Sequence, residues 1–202
     1  KCIDLEYKAD ADSTDFDNFV RQITSGLNGQ RDEIYNYLNE KNKIFPGMSV
    51  LEIGSYDVNG TIRKFFIDSN YTGVDIIEGP GVDMVASGGD INLPSNSFDI
   101  SISCECFEHN PVWVETFINM YRMTKEECYM IVTCASTGRR EHGTARSQPA
   151  SSPGTVLSGS TYYRNLTSSD FYKNLPIKKM FSEFFFYQNN ISHDLYFVGI
   201  KN

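Results

Sequence analysis

Apolar positions along the chain fall into two regimes. Near the N-terminus they recur at helical spacing, at Phe16, Phe19, Val20, Ile23 and Leu27, behind a capping-box-like Thr14 and Asp17. Gly26, Asn28 and Gly29 interrupt the pattern, a second helix with Ile34, Tyr35 and Leu38 runs to about Asn42, and Phe45, Pro46 and Gly47 close it. From Met48 onward the apolar residues form short runs bounded by glycine and acidic residues. Strands are expected at residues 50–54, 71–75, 82–86, 98–104 and 128–134. Helices are expected at residues 62–69 and after Asn110 and Pro111, where Val114, Phe117, Ile118 and Tyr121 supply one apolar face. Strands alternating with helices imply parallel βαβ units whose sheet is covered on both faces.

Residues 136–160 have no apolar periodicity and are rich in Gly, Ser, Thr, Pro and Arg, so a long functional loop is expected there. Beyond it, Thr167 and Asp170 have capping-box spacing for a helix ending near Leu175 and Pro176. The strand-like runs at residues 179–187 and 195–200 can pair as an antiparallel hairpin.

Composition narrows the class. The chain has 202 residues, of which 40% are hydrophobic and 22% charged, which suits one folded domain with a small appendage and excludes a disordered or low-complexity chain. No apolar run reaches the roughly 18 residues of a membrane span. The first twenty residues are acidic rather than basic and then apolar, so a cytoplasmic location is expected. Lys and Arg number 18 against 26 Asp and Glu, a net charge of −8, which argues against a broad grip on a nucleic acid backbone. Five cysteines, at positions 2, 104, 106, 128 and 134, are odd in number and lack a C-x-x-C pair, which fits a reducing compartment. The three histidines show no metal-binding spacing, and no metal is expected from the pattern.

In an open parallel sheet the ligand site lies beyond the carboxyl ends of the strands, near the reversal of strand order. Gly54, Asp75, Asp90 and the pair Cys104 and Glu105 stand at those ends. Gly54 lets the backbone turn and approach a ligand, and Gly60 opens the next segment without a Cβ. Asp75 follows Gly54 by 75 − 54 = 21 positions, the distance at which a carboxylate meets ribose hydroxyls in nucleotide-binding βαβ units. The strict G-x-G-x-x-G of dinucleotide enzymes is missing. That weakens a second reading, an NAD-binding oxidoreductase.

The run VLEIG at residues 50–54, YTGVD at 71–75, GDINLP at 89–94 with SFD at 97–99, and CECFEH at 104–109 together resemble the class I S-adenosylmethionine-dependent methyltransferases, in particular the methyltransferase type 11 group. The resemblance implies a Rossmann-like, doubly wound, mostly parallel α/β sheet with an antiparallel C-terminal hairpin. Residues 1–47 would be a helical appendage, 48–202 the methyltransferase domain and 136–160 its substrate-side loop. It further implies that Glu52 and Gly54, with Ser55, Tyr56 and Gly60, hold the methionine part of the cofactor. Asp75 would hold the ribose hydroxyls and Ile76 pack on the adenine. Asp90 would face the adenine amino group, the Ile91 amide a ring nitrogen, and Cys104 and Glu105 would lie under the methyl group. Tyr56 and Val58 occupy later glycine positions of the usual first motif.

Methyl transfer requires alignment of nucleophile, methyl and sulfur, and a base only where the acceptor must lose a proton. His109, after the fourth strand, is the candidate for that base. Arg139, Arg140, His142 and Arg146 place positive charge on the long loop, which suits a phosphate or carboxylate on the substrate, and are the candidates for binding a small-molecule or sugar-like acceptor. A third reading keeps the fold and the cofactor but has no transfer activity.

Overall fold

Residues 38–39 and 43–202 are described by a computed structural model. The helices expected over residues 1–47 lie outside the described residues, except for Leu38, Asn39 and residues 43–47.

Seven strands form one sheet: β1 Ser49–Ile53, β2 Asn70–Asp75, β3 Met84–Val85, β4 Phe98–Cys104, β5 Thr124–Ala135, β6 Phe181–Asn189 and β7 Asp194–Lys201. Their order is β3-β2-β1-β4-β5-β7-β6. The first five are parallel, and β7 runs antiparallel to both β5 and β6, which is the hairpin expected from the sequence. Among the described residues four α-helices accompany them: α1 Trp113–Met123, α2 Pro153–Leu157, α3 Ser168–Asn174 and α4 Ile177–Met180. Among the described residues no helix is long and apolar enough to cross a membrane.

Several expected elements shift for local reasons. The helix expected at residues 62–69 is only a 3-10 turn, Ile62–Phe65, because Asp68 takes a left-handed φ of 63° and turns the chain back into β2. The third strand shrinks to two residues at the sheet edge. The Asn110 side chain accepts the amide of Val112 at 3.0 Å, so an Asx turn precedes α1 and delays its start to Trp113. β5 begins four residues early, with a register shift against β4 and Glu127 at φ 58°, the signature of a bulge. The capping box at Thr167 and Asp170 forms as expected. The helices α2 and α4 had no periodic signal, being barely a turn long.

Strand alternation sorts the core into two layers. Leu51, Ile53, Val74, Met130, Val132, Leu195 and Phe197 face one side, where Phe117, Met120 and Met123 of α1 and Phe171 of α3 cover them. That side is strongly aromatic: Phe117 lies 5.2 Å from Phe197 and Trp113 5.0 Å from Phe171, between ring centres. Val50, Ile100, Ile102, Tyr129, Ile131, Tyr196 and Val198 face the other side with Leu38, Met48, Ile62 and Phe66.

A polar knot ties α1 to the segment after β3. The buried Asn119 amide donates to the carbonyls of Gly88 and Ile91, both at 2.9 Å, and its oxygen accepts from Arg122. Arg122 in turn donates to the carbonyls of Leu93 and Ile91. Asn119→Ala takes the donor from the Gly88 carbonyl, one of two from the Ile91 carbonyl, and the acceptor from Arg122, and should cost about 1–3 kcal/mol in urea unfolding; a loss within error of zero would show the knot to be dispensable.

Asp99 joins three strands by accepting the Ser49 amide at 2.7 Å and the Lys125 ammonium at 2.6 Å. Burial raises its pKa, but these two bonds outweigh that and hold the carboxyl below its ordinary value. Its contribution is therefore complete above the unfolded value of about 3.9 and vanishes as pH falls through the lower folded one. Urea midpoints of the wild type and Asp99→Asn should differ at neutral pH and converge in acid; a gap that stays constant with pH contradicts this.

Candidate active site

The register of three strands sets the site. Ile53 pairs with Val74 on one side and Ser103 on the other, so the residues that follow, Gly54, Asp75 and Cys104, leave the sheet level with one another. Strand order reverses between β1 and β4, and the diverging connections leave a crevice there. The crevice is a cavity of about 1120 Å³, at the upper end of the roughly 300–1,000 Å³ usual for ligand pockets.

Asp75 stands at the tip of β2. Its two oxygens accept the amides of Tyr56 at 3.2 Å and Ile76 at 2.7 Å, which aims the carboxylate and links the loops after β1 and β2. Burial raises its pKa, opposed by the amides of Tyr56, Ile76 and Ile77. Gly54 has a φ of 80°, and a Cβ there would stand 2.5 Å from the Cys106 Cβ. Only glycine lets the β1 and β4 loops approach so closely.

A second group gathers at the opposite end, beyond β4. A 3-10 turn, Phe107–His109, carries Glu108 and His109, and the long loop brings His142 against them. The His142 and His109 rings stand 5.1 Å apart, and Tyr163 packs on both, at 5.2 and 5.3 Å. Burial first, then the charge of Glu105, pushes Glu108 well up. Burial, with help from His142, lowers His109 to about 4, so its imidazole is neutral at physiological pH.

Of the residues expected to hold the cofactor, Gly54, Tyr56, Gly60, Asp75, Ile76, Cys104 and Glu105 line this cavity. Glu52 does not: strand alternation turns it to the far layer, where it accepts the Tyr71 hydroxyl at 2.7 Å. Ser55 is buried outside the lining, below Gly73. Asp90 is exposed and Ile91 enters the aromatic core, because the turn after β3 directs Ala86, Ser87 and Gly88 into the cavity instead. His109, Arg139, Arg140 and His142 line the cavity, whereas Arg146 points away and pairs with Glu141 at 3.0 Å. Arg139 is engaged by the Ser192 carbonyl at 2.7 Å and by Asp194 at 3.2 Å, with Glu105 at 4.0 Å. The positive patch expected on the loop is thus largely neutralised. Sequence reasoning missed Glu108 and the turn Asn189 to Asp194, because no periodicity marks a turn that closes over a site, whereas Ser151 to Thr155 belong to the loop expected on the substrate side.

A family model described as a methyltransferase domain matches residues 60–132. That match covers about a third of the chain, and the strand order and strand-end cavity agree with it. The fold is that of class I S-adenosylmethionine-dependent methyltransferases. Solved methyltransferases share its fold at low identity. The citrinin polyketide synthase CMeT domain is 12% identical with a TM-score of 0.59, over 84% of this chain and 52% of that one. Phosphoethanolamine N-methyltransferase 2 of Haemonchus contortus, in complex with S-adenosyl-L-methionine, is 14% identical with a TM-score of 0.59, over 93% and 57%. The chain thus spans little more than half of these two. It matches 98% of the 1,6-didemethyltoxoflavin-N1-methyltransferase of Burkholderia thailandensis over its own full length, at 13% identity and a TM-score of 0.58. No curated protein matches the sequence.

The domain offers an internal control for the Gly54 contact. Gly47 has the same φ of 80° but open space where a Cβ would be. Gly47→Ala should cost about 1–2 kcal/mol for the left-handed backbone alone, and Gly54→Ala a further 1–3 kcal/mol or so for the clash. Equal losses in denaturant titrations would remove the steric account.

Proposed function

We propose that the domain binds S-adenosylmethionine across the carboxyl ends of β1, β2 and β4 and transfers its methyl group to a small, polar acceptor held by the loop over residues 136–160. The observation that carries the reading is the aimed, backbone-held Asp75 carboxylate, level with Gly54 at the edge of a cavity large enough for a nucleoside and a second molecule. The residues suit the cofactor: Asp75 can accept both ribose hydroxyls, Ile76 offers an apolar surface to the adenine, and Gly54 and Tyr56 line the methionine end. Ala86, Ser87 and Gly88 take the adenine-side place first given to Asp90 and Ile91. Bound there, the cofactor supplies a methyl group on a sulfonium, already a good leaving group.

This chain's own part is orientation and exclusion of water. Gly154 of α2 packs so close to Asp75 that a Cβ there would stand 3.2 Å from its carboxylate oxygen, so the long loop reaches the ribose end. At the other end His109 is neutral, able to accept a proton from an acceptor hydroxyl or to orient it. Arg139 is paired with Asp194 and Glu105, while Arg140 and His142 also line the cavity, so its wall carries polar groups of both signs that suit a sugar-like polyol. The strand order, with an antiparallel β7 inserted between β5 and β6, departs from that of dinucleotide enzymes, and nothing favours the oxidoreductase reading. The N-terminal residues 1–47 are read as an appendage to this domain.

Calorimetry with S-adenosylhomocysteine tests the proposal. The wild type should bind it, and Asp75→Ala should bind at least tenfold more weakly, a loss of about 1.4 kcal/mol. Absence of binding at millimolar ligand would overturn the cofactor assignment, and an unchanged affinity in Asp75→Ala would overturn the role of that residue.

A further inference from the structure

Glu108, His109 and His142 each offer a ligand atom, and these atoms all lie within 4.8 Å of one another. The His142 Nε2 stands 3.8 Å from Glu108 Oε1. Two ligands each about 2.0–2.2 Å from a tetrahedral zinc-type ion stand roughly 3.3–3.6 Å apart, so this pair needs a contraction of a few tenths of an ångström and the widest pair one of about 1 Å.

His142 Nδ1 lies 3.1 Å from the Arg140 carbonyl oxygen and 3.2 Å from the Tyr163 hydroxyl. In the tautomer whose Nδ1 donates to that carbonyl, Nε2 turns its lone pair toward Glu108. Tyr163 donates its hydroxyl to the same carbonyl at 3.1 Å and packs on both imidazoles, which fixes the ring planes. A backbone carbonyl behind a ligating histidine is the usual outer support of a metal site.

Glu108 is fully buried, and among the described residues neither of its oxygens has a hydrogen-bond partner of sound geometry; nor does Nδ1 of His109. Buried charges without partners are costly, and proteins resolve them by pairing or by a metal ion. Arg139, the nearby guanidinium, is held by Asp194 and Ser192 instead.

We propose that Glu108, His109 and His142 bind one divalent transition-metal ion of the zinc type, with its open coordination position toward the acceptor end of the cavity. Two imidazoles and one carboxylate are the donor set of catalytic zinc sites that keep a fourth position for water or substrate; magnesium and calcium prefer all-oxygen sets. His109 and His142 line the cavity and Glu108 lies behind them, which sets the open side. The site itself stands apart from the methyltransferase reading. Its use rests on that reading: an acceptor hydroxyl in the fourth position becomes more acidic and releases its proton to solvent, and its oxygen then forms the bond to the methyl carbon as the sulfur–methyl bond breaks.

The test uses the full chain, stripped with chelator, dialysed and titrated calorimetrically with zinc chloride. Cobalt(II) chloride is the spectroscopic probe. One ion per chain and visible cobalt bands without sulfur-to-cobalt charge transfer are expected. Glu108→Gln, which is nearly isosteric, and His142→Ala, on a surface loop, should each weaken zinc binding at least hundredfold with an unchanged circular dichroism spectrum. Stoichiometric zinc absent from the wild type, affinities unchanged in both variants, or a sulfur charge-transfer band pointing to Cys104 or Cys106 would each overturn the site. S-adenosylhomocysteine affinity, measured on the same samples, separates the two proposals: its loss strikes the methyltransferase reading and leaves the metal site standing.

Discussion

β1 is paired in parallel on both sides, with β2 and with β4, and the rest of the molecule depends on that constraint. Parallel neighbours satisfy the backbone of β1 completely and release three chains at one edge, while strand-order reversal sends their connections to opposite faces. Gly54, Asp75 and Cys104 are level because the register makes them so. The polar groups at this edge need no other scaffold. The sheet beneath is rigid because both of its faces are buried, one under an aromatic layer centred on Phe117, Phe171 and Phe197.

The two ends of the cavity are built on different principles. At the β2 end a single carboxylate is held by backbone amides, an inexpensive arrangement that leaves its oxygens aimed and partly open. At the β4 end Glu105, Glu108 and Asp194 are crowded into a poorly solvated space with one arginine and two imidazoles. Glu105 and His193 take left-handed backbone angles there, at φ 53° and 61°. Strain and buried charge of this kind weaken a fold and persist where a site needs them.

The long loop joins the two ends. Thr144 and Ser147 bond back to Glu141, and Gly154 rests against Asp75, while His142 meets Glu108 and His109. Gly143 permits that last contact: with φ at 63°, a Cβ would stand 2.7 Å from the His109 ring. The loop therefore brings the groups at both ends of the cavity under one cover, although it has almost no apolar side chains of its own.

Period and punctuation were enough to place β1, β2, β4, the C-terminal hairpin and the Thr167 capping box, because each is set by neighbours in sequence. The same local logic put Gly54, Asp75 and Cys104 at strand ends, where they line the cavity. Motif position does not say which face of a strand a side chain takes, and Glu52 stands outside the cavity lining. Asp90 and Ile91 stand outside it too, since the turn after β3 is directed by Asn119 of α1, about thirty residues away. The arginines of the loop read as a positive patch until their partners Asp194 and Glu141 came into contact with them. Sequence by itself determined the strands, their alternation with helices and the edge at which chemistry is placed, all consequences of short-range pattern. Which charges neutralise each other, and that Glu108 and His109 meet His142 from 33 residues away, was decided only by the tertiary structure, because burial and through-space distance exist only once the chain has closed on itself.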